Sequence, residues 1–310
     1  MMTNLLWIVL GIMLVLIGAD RLTEGAAALA RRMNIPELLI GLTIVAAGTS
    51  APELFVSVVS ALKGTSDMAV GNVVGSNTMN CMLIVGAAAM VAPITISKRT
   101  VKKDIPFSVF SSLLLLVFTL NNSLSRFEGI ALLIAFVVFM TYTIYAALHS
   151  KETTSSEEVK QMSAWKGGGF MLFGLLGLVL GSNLFVDNAS DLAYSLGLSE
   201  GVVGMTIVAG GTSLPELATS VVAARKGQSA IAMGNVIGSN VFNILLILGL
   251  TATISPLEIE SITTIDMIVM MLSVSVVWLF SFTRFKVERW EGFLLLAGYL
   301  GYLAWMLSSL

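Results

Sequence analysis

Two stretches of this chain repeat each other without a gap, 163 residues apart. Residues 41–86 align with residues 204–249, which pairs GLTIVAAGTSAPEL with GMTIVAGGTSLPEL and GNVVGSNTMN with GNVIGSNVFN. About 29 of the 46 aligned positions are identical, and most of these are Gly, Thr, Ser, Pro, Glu or Asn rather than apolar residues. Glycine and proline interrupt helices, and the others carry oxygen atoms. The repeat therefore predicts a polar site as well as a duplicated fold.

The composition is that of an integral membrane protein. Of the 310 residues, 56% are hydrophobic and only 12% are charged, with a mean hydropathy of +0.91, whereas about a quarter of the residues in soluble proteins are charged. The apolar runs are long enough for helices that cross a hydrocarbon core of about 30 Å, and too long for the strands of a barrel. We predict an all-α protein with ten spans, near residues 5–30, 36–62, 67–92, 104–120, 127–148, 167–195, 199–225, 229–254, 263–283 and 289–308.

The basic residues are sorted between the two sides of the membrane. With the N-terminus outside, the inner loops hold fourteen Lys and Arg residues, and the outer loops hold only Lys63 and Arg126. Cytoplasmic loops carry an excess of this kind. We therefore expect a multi-pass protein of the cell (inner) membrane with both termini outside and the central loop in the cytoplasm.

A polar segment divides the chain into two halves of five spans each. We predict a first five-helix repeat over residues 1–148, a cytoplasmic linker loop over 149–166 and a second five-helix repeat over 167–310. Because five is odd, the second copy must cross the membrane in the opposite sense. Inverted repeats are typical of secondary transporters, in which the two halves meet at a midplane site. A duplicated membrane scaffold without transport is the alternative.

The second span of each repeat is interrupted in its middle. Residues 47–53 read AGTSAPE and residues 210–216 read GGTSLPE. Glycine is a weak helix former, and proline removes a backbone donor and disfavours helix at the residue before it. We therefore expect broken second and seventh helices. A break at membrane depth frees carbonyl groups, here those of Thr49 and Thr212, that a bound cation can satisfy.

Glu53 and Glu216 follow the two breaks within apolar sequence, with no basic residue nearby along either helix. A carboxylate at that depth costs about 3 kcal/mol or more unless it is paired or bound to a metal ion. Two carboxylates at equivalent positions of the repeat imply a shared partner. The alternatives are that the two glutamates are protonated, hydrogen-bonded structural acids or that these segments are loops.

The third span of each repeat adds amide and hydroxyl groups. Ser76 and Asn80 are four residues apart and share a helical face, as do Ser239 and Asn243. With the glutamates they make an oxygen-only ligand set, which suits Ca2+ and Na+ and disfavours zinc and copper. Two negative charges match one Ca2+ or two Na+, so competition between these ions would give exchange.

At these residues the chain resembles the calcium/cation antiporter superfamily, and within it the prokaryotic sodium/calcium exchangers. The two G-T-S-x-P-E and G-N-x-x-G-S-N blocks are similar to the family's alpha repeats, and the ten-span inverted arrangement covers essentially the whole chain. The resemblance implies electrogenic antiport of Ca2+ against several Na+ by alternating access. It also implies that the first and sixth spans slide over a fixed core.

The resemblance further implies a role for each residue of the site. The Ca2+ ligands would be the carboxylates of Glu53 and Glu216 and the carbonyl groups of Thr49 and Thr212. The flanking Na+ sites would use the carbonyl groups of Ala46 and Ala209 and the hydroxyl groups of Ser50, Ser213, Ser76 and Ser239. Asn80 and Asn243 would lie at the centre, where some relatives carry one aspartate and this chain has asparagine twice.

Three other functions compete with this one. A proton-coupled or K+-dependent Ca2+/cation antiporter is the closest, but proton-coupled relatives tend to carry a glutamate where this chain has Gly75 and Gly238. A cation channel also uses carboxylates and carbonyl groups, yet paired broken helices in inverted halves favour a carrier. We expect no enzyme activity, because no histidine or lysine within the spans could activate Ser50 or Ser213. The expected partners are the transported Ca2+ and Na+ and membrane lipid, with no cofactor, no nucleic acid and a monomeric state.

Overall fold

The structure is a computed structural model that describes residues 2–149, 162–197, 207, 209–260 and 262–308. Most of these residues are helical. In chain order the helices are α1 (Met2–Arg32), α2 (Glu37–Thr49), α3 (Ala51–Leu62), α4 (Ser66–Val91), α5 (Thr100–Asn121), α6 (Arg126–Leu148), α7 (Ala164–Ser195), α8 (Ala209–Thr212), α9 (Leu214–Arg225), α10 (Ser229–Ile254), α11 (Thr264–Ser281) and α12 (Arg289–Ser308). Helices α2, α4, α5 and α10 contain π-helical turns, at Gly41–Val45, Asn80–Ile84, Thr100–Asp104 and Phe242–Leu248.

Eight of the described helices are long and apolar enough to cross a membrane, and the bent pair α2–α3 makes a ninth. Each of these nine coincides with a predicted span to within a few residues. The chain is therefore the all-α, multi-pass membrane protein that its hydropathy predicts. The remaining predicted span, 199–225, lies partly outside the described residues, which contribute α8 and α9 to it. Helix α7 begins at Ala164, inside the segment predicted as a linker.

Among the described residues, two short β-ladders, which hydropathy did not predict, connect loops of the two halves. β1 (Ile94–Thr95) pairs antiparallel with β4 (Lys286–Val287), and β2 (Ser123–Leu124) pairs antiparallel with β3 (Leu257–Glu258). Each strand of the first ladder lies 163 residues from a strand of the second. The duplication thus appears in the contacts between the halves as well as in the sequence.

Glycine residues let α1 and α7 pack with their backbones in contact. A Cβ atom at Gly11 would lie 2.7 Å from the carbonyl oxygen of Gly181, and one at Gly18 would lie 2.8 Å from that of Gly174. Membrane helices that pack this closely usually have small residues at the interface. Because the contacting residue number falls along α7 as it rises along α1, the two helices run antiparallel.

Helices α4 and α10 form the centre of the protein. In their most apolar windows, 72% of the α4 residues and 94% of the α10 residues are buried, against 22% for α1 and 17% for α12. Polar side chains on α4 and α10 are therefore shielded from lipid, where they would cost free energy. These two helices can carry a polar site.

Replacing Gly174 with alanine should destabilise the protein. The added Cβ atom would lie 2.6 Å from the backbone nitrogen of Leu22 and 2.7 Å from the carbonyl oxygen of Gly18. Overpacking costs about 1–3 kcal/mol, so we expect the melting temperature in detergent to fall by about 5 °C. Gly169→Ala on the same helix is the control, because no described atom beyond its own stretch of helix backbone lies within 4 Å of its added Cβ. Equal melting temperatures for the two variants would contradict the close packing.

Candidate cation site

Both predicted helix interruptions are present in the structure. Between α2 and α3, Ser50 has a ψ of 7° and the helix axes bend by 46°. Ser213 interrupts the helix between α8 and α9 in the same way, with a ψ of 6°. Proline is tolerated just after each break, because the first N–H groups of a helix have no partner within it. Glu53 and Glu216 thus lie in the first turn of a new helix, where the helix dipole favours a negative charge.

The two glutamates are buried, and each contacts the serine at the other break. Their exposed fractions are 0% for Glu53 and 1% for Glu216. The Ser50 hydroxyl donates to Glu216 Oε1 at 3.0 Å, and the Ser213 hydroxyl donates to Glu53 Oε1 at 3.2 Å. Among the described residues, neither glutamate takes part in an ion pair. The fold therefore brings one carboxylate from each copy into a shared polar centre without a basic partner.

Helices α4 and α10 supply further donors to this centre. The hydroxyl groups of Ser76 and Ser239 each donate to Oε1 of the glutamate in their own copy, Glu53 and Glu216, at 3.4 Å. The Ser213 hydroxyl also donates to the Ser76 hydroxyl at 3.1 Å. All four serines of the predicted site therefore lie at the glutamates.

Two asparagines outside the predicted ligand set anchor the backbone of the glutamates. Asn72 Nδ2 donates to the carbonyl oxygen of Glu53 at 3.2 Å and to the serine one turn further along α3 at 3.1 Å. Asn235 Nδ2 makes the equivalent bonds to Glu216 and to α9, at 3.4 and 3.1 Å. Asparagine stands at this position in both copies of the repeat, so the repeat could have identified Asn72 and Asn235 as candidate residues of the site.

Four asparagines of α4 and α10 interlock at the start of the π-helical turns. Asn80 Nδ2 donates to Asn240 Oδ1 at 3.0 Å, and Asn243 Nδ2 donates to Asn77 Oδ1 at 2.9 Å. Asn77 Nδ2 donates to the carbonyl oxygen of Asn240 at 3.1 Å, and Asn240 Nδ2 lies 3.0 Å from Cys81 Sγ. We call these four residues the asparagine quartet. Asn77 and Asn240 were missing from the predicted site, yet they hold the amide groups of Asn80 and Asn243.

Four buried oxygen atoms of the site have no hydrogen-bond partner among the described residues. They are Oε2 of Glu53 and Glu216 and Oδ1 of Asn80 and Asn243. Buried polar atoms rarely lack a partner, and these four form two pairs related by the repeat. In the described ranges no three His, Cys, Asp or Glu side chains could share a metal ion. The four oxygens that could bind a metal ion are carboxylate and amide oxygens, which suit a hard cation such as Ca2+.

The predicted carbonyl ligands lie beside the breaks. The Thr49 hydroxyl donates to Asn235 Oδ1 at 3.0 Å and to the Ala46 carbonyl oxygen at 3.3 Å. That carbonyl also accepts the backbone N–H four residues further on at 2.9 Å, so a cation there would compete with the threonine hydroxyl. Ala209 and Thr212 are the first and last residues of α8, at the equivalent positions.

Comparisons with known proteins show the family of the chain. The family model described as sodium/calcium exchanger protein matches the chain twice, at residues 3–145 and 166–308. The sodium/calcium exchanger MaX1 of Methanosarcina acetivorans is 34% identical over 343 residues, which covers 97% of each chain. The inner membrane protein YrbG of Escherichia coli is 37% identical over 307 residues, which covers 96% of this chain and 94% of that protein. A solved structure of the sodium-calcium exchanger NCX_Mj matches with a TM-score of 0.86 and 30% identity, over 97% of this chain and 98% of that one.

These matches span nearly the full length of the chain, and the two family matches begin 163 residues apart, as the internal repeat does. The protein is a multi-pass membrane antiporter of Ca2+ and another cation. It belongs to the sodium/calcium exchanger family.

Proposed function

We propose that this protein exchanges Ca2+ for Na+ at a midplane site that includes Glu53, Glu216, Asn80 and Asn243. The four unpartnered oxygen atoms of these side chains carry the proposal. They are buried and come in equal numbers from the two copies, and no basic side chain neutralises them among the described residues. The predicted serine, threonine and alanine oxygens would complete the coordination of the two ions.

The charge of the site supports competition between the ions. Two carboxylates carry −2, which one Ca2+ or two Na+ would neutralise. Each Ca2+ that enters must displace the Na+ ions from shared oxygens, so the two occupancies exclude each other. Transport of more than two Na+ for each Ca2+ moves net charge, and we propose electrogenic exchange on the family resemblance.

We propose that alternating access arises from two inverted five-helix repeats, residues 1–148 and 167–310, joined by the linker 149–166. The antiparallel packing of α1 and α7 supports this, because they are the first helices of the two halves. Gly11 and Gly174 are 163 residues apart, and so are Gly18 and Gly181. The two glycine contacts are therefore equivalent under a two-fold relation between the halves.

We propose that the protein lies in the cell (inner) membrane with both termini outside. The excess of basic residues in the inner loops supports this orientation, and the relative YrbG is an inner membrane protein. A reporter enzyme that is active only outside the cytoplasm, fused to the C-terminus, tests the orientation. An inactive reporter on a stably produced fusion would contradict it.

Flux of labelled Ca2+ from proteoliposomes tests the choice of coupling ion. With pH and membrane potential clamped, an opposing Na+ gradient should drive Ca2+ release, and replacing Na+ with K+ or choline should abolish it. A second arm imposes a pH gradient without Na+ and should give no release. Release driven by the pH gradient alone would make the protein a proton-coupled antiporter, and ion currents far above carrier rates would make it a channel.

A further inference from the structure

A cavity separate from the cation site lies between α11 and α12. It is a groove of about 390 Å3 with Met82 of α4 at its inner side. Val269 and Phe280 line its length along α11. Its lining is apolar apart from Ser273 and Tyr302. Since both helices belong to the membrane-spanning part of the protein, the groove lies at the depth of the lipid chains.

The dimensions of the groove match part of a lipid. From Val269 to Phe280 a helix rises about 16 Å, at about 1.5 Å for each residue. One leaflet contributes about half of a hydrocarbon core of about 30 Å. A single acyl chain of one leaflet can therefore follow the groove along its length.

The groove depends on small side chains that the first half of the protein lacks. Ser273 and Gly298 line it, and the residues 163 positions earlier are Phe110 and Ala135. A Cβ atom at Gly298 would lie 2.7 Å from Met82 Cε. The duplicated fold thus accepts larger side chains at these positions, and the second half has smaller ones.

An unneutralised carboxylate marks one end of the groove. The Tyr302 hydroxyl donates to Asp266 Oδ1 at 2.7 Å, and the Thr263 hydroxyl donates to Oδ2 at 2.7 Å. Asp266 is half-buried at the start of α11, and no described basic side chain forms an ion pair with it. A carboxylate here repels anionic head groups and attracts an ammonium group, with which it can form a charge-assisted hydrogen bond.

We propose that this groove binds one acyl chain of an ethanolamine phospholipid whose ammonium group lies near Asp266. Lipid tails are as apolar as the groove, so burial of apolar area alone does not favour the bound chain. Two other terms do: the chain fills a space whose lining would otherwise lose dispersion contacts, and the head group gains a charged partner. The bound chain also supports Met82, which lies in the same π-helical turn as Asn80.

Photo-cross-linking tests the site. The full-length protein is reconstituted in phosphatidylcholine with a trace of phosphatidylethanolamine that carries a photoreactive acyl chain. Label should appear on peptides that contain Met82 and residues 269–280. The double variant Ser273→Phe/Gly298→Ala, which copies the first half, should lose label about tenfold, which corresponds to about 1.4 kcal/mol.

Leu279→Phe is the matched control, because it also introduces a phenylalanine on α11 but at an exposed side chain outside the groove. Val276→Phe replaces the double variant if the latter does not fold. Equal labelling of the wild type and a folded groove-filling variant would overturn the site. Equal labelling by phosphatidylglycerol with the same chain, or no loss of label in Asp266→Asn, would overturn the assigned head group.

Ca2+ flux in the presence and absence of phosphatidylethanolamine tests whether the bound lipid affects exchange through Met82. The wild type should lose about threefold in rate without this lipid, within the range of coupling energies between separate sites. The groove-filling variant should exchange at the same rate in both membranes, and Leu279→Phe should behave like the wild type. A wild-type exchange rate that is the same in both membranes would overturn this effect of the lipid on exchange. The labelling does not depend on transport, so its failure is distinguishable from failure of the Na+ assignment.

Discussion

Replacing Glu53 or Glu216 with glutamine will lower Ca2+ exchange by about 100-fold or more. Each substitution keeps the shape of the side chain but removes one of the two negative charges at the site. The loss leaves one positive charge of the bound Ca2+ without its partner. An uncompensated buried charge costs about 3–5 kcal/mol, and a loss of about 2.8 kcal/mol already corresponds to a 100-fold change in affinity. Because the two residues hold equivalent positions with reciprocal serine contacts, we expect similar losses. Labelled Ca2+ flux and calorimetric Ca2+ binding measure them.

Glu24→Gln is the matched control for the two glutamate variants. Glu24 lies on α1, is about 40% exposed and pairs with Arg21 at 3.0 Å. Exposed pairs of this kind contribute about 0–1 kcal/mol, so exchange should stay within about twofold of the wild type. Normal flux in folded Glu53→Gln or Glu216→Gln protein would show that the glutamates are structural acids and that the ions bind elsewhere.

The helix breaks and the glutamates could be predicted because their causes are local. Glycine before Ser50 and proline after it disfavour a continuous helix whatever the surroundings, and the same chemistry recurs at Ser213. The number and position of the described spans likewise follow from hydropathy, because a bilayer of fixed thickness selects apolar runs of one length. The repeat then marked Glu53 and Glu216 as equivalent, although it gave no distance between them.

The hydrogen bonds between the halves could not be predicted, because they depend on which faces of α4 and α10 meet. Asn77 and Asn240 are identical in the repeat, but a conserved internal asparagine serves equally well as a packing residue or a cap. The contact between Cys81 and Asn240 has no counterpart at Ile244, the residue equivalent to Cys81, so the repeat could not mark it. The two β-ladders escaped prediction for a related reason, since two residues are too few for a strand pattern.

Replacing Asn240 with alanine should lower Ca2+ affinity by about tenfold and also lower the melting temperature. The change removes the oxygen that accepts the hydrogen bond from Asn80 Nδ2 at 3.0 Å. A buried donor without a partner costs about 1–3 kcal/mol, and the freed Asn80 amide can rotate, which turns its free Oδ1 away from the site. Asn77→Ala should act in the same way through Asn243, whose Nδ2 loses its acceptor at 2.9 Å. Calorimetric Ca2+ titration and thermal unfolding in detergent give the two readouts.

The control separates positioning of the ligands from loss of stability alone. Asn188→Ala also removes a partly buried amide, but within the described part of the chain that amide donates only to the carbonyl oxygen of Leu184 in the same helix, at 2.8 Å. It should leave Ca2+ affinity unchanged. Asn240→Asp keeps an acceptor for Asn80, so it should bind Ca2+ more tightly than Asn240→Ala. If Asn240→Ala unfolds at a lower temperature yet binds Ca2+ like the wild type, then the asparagine quartet only joins α4 to α10. The orientation of the Asn80 amide would then have another cause.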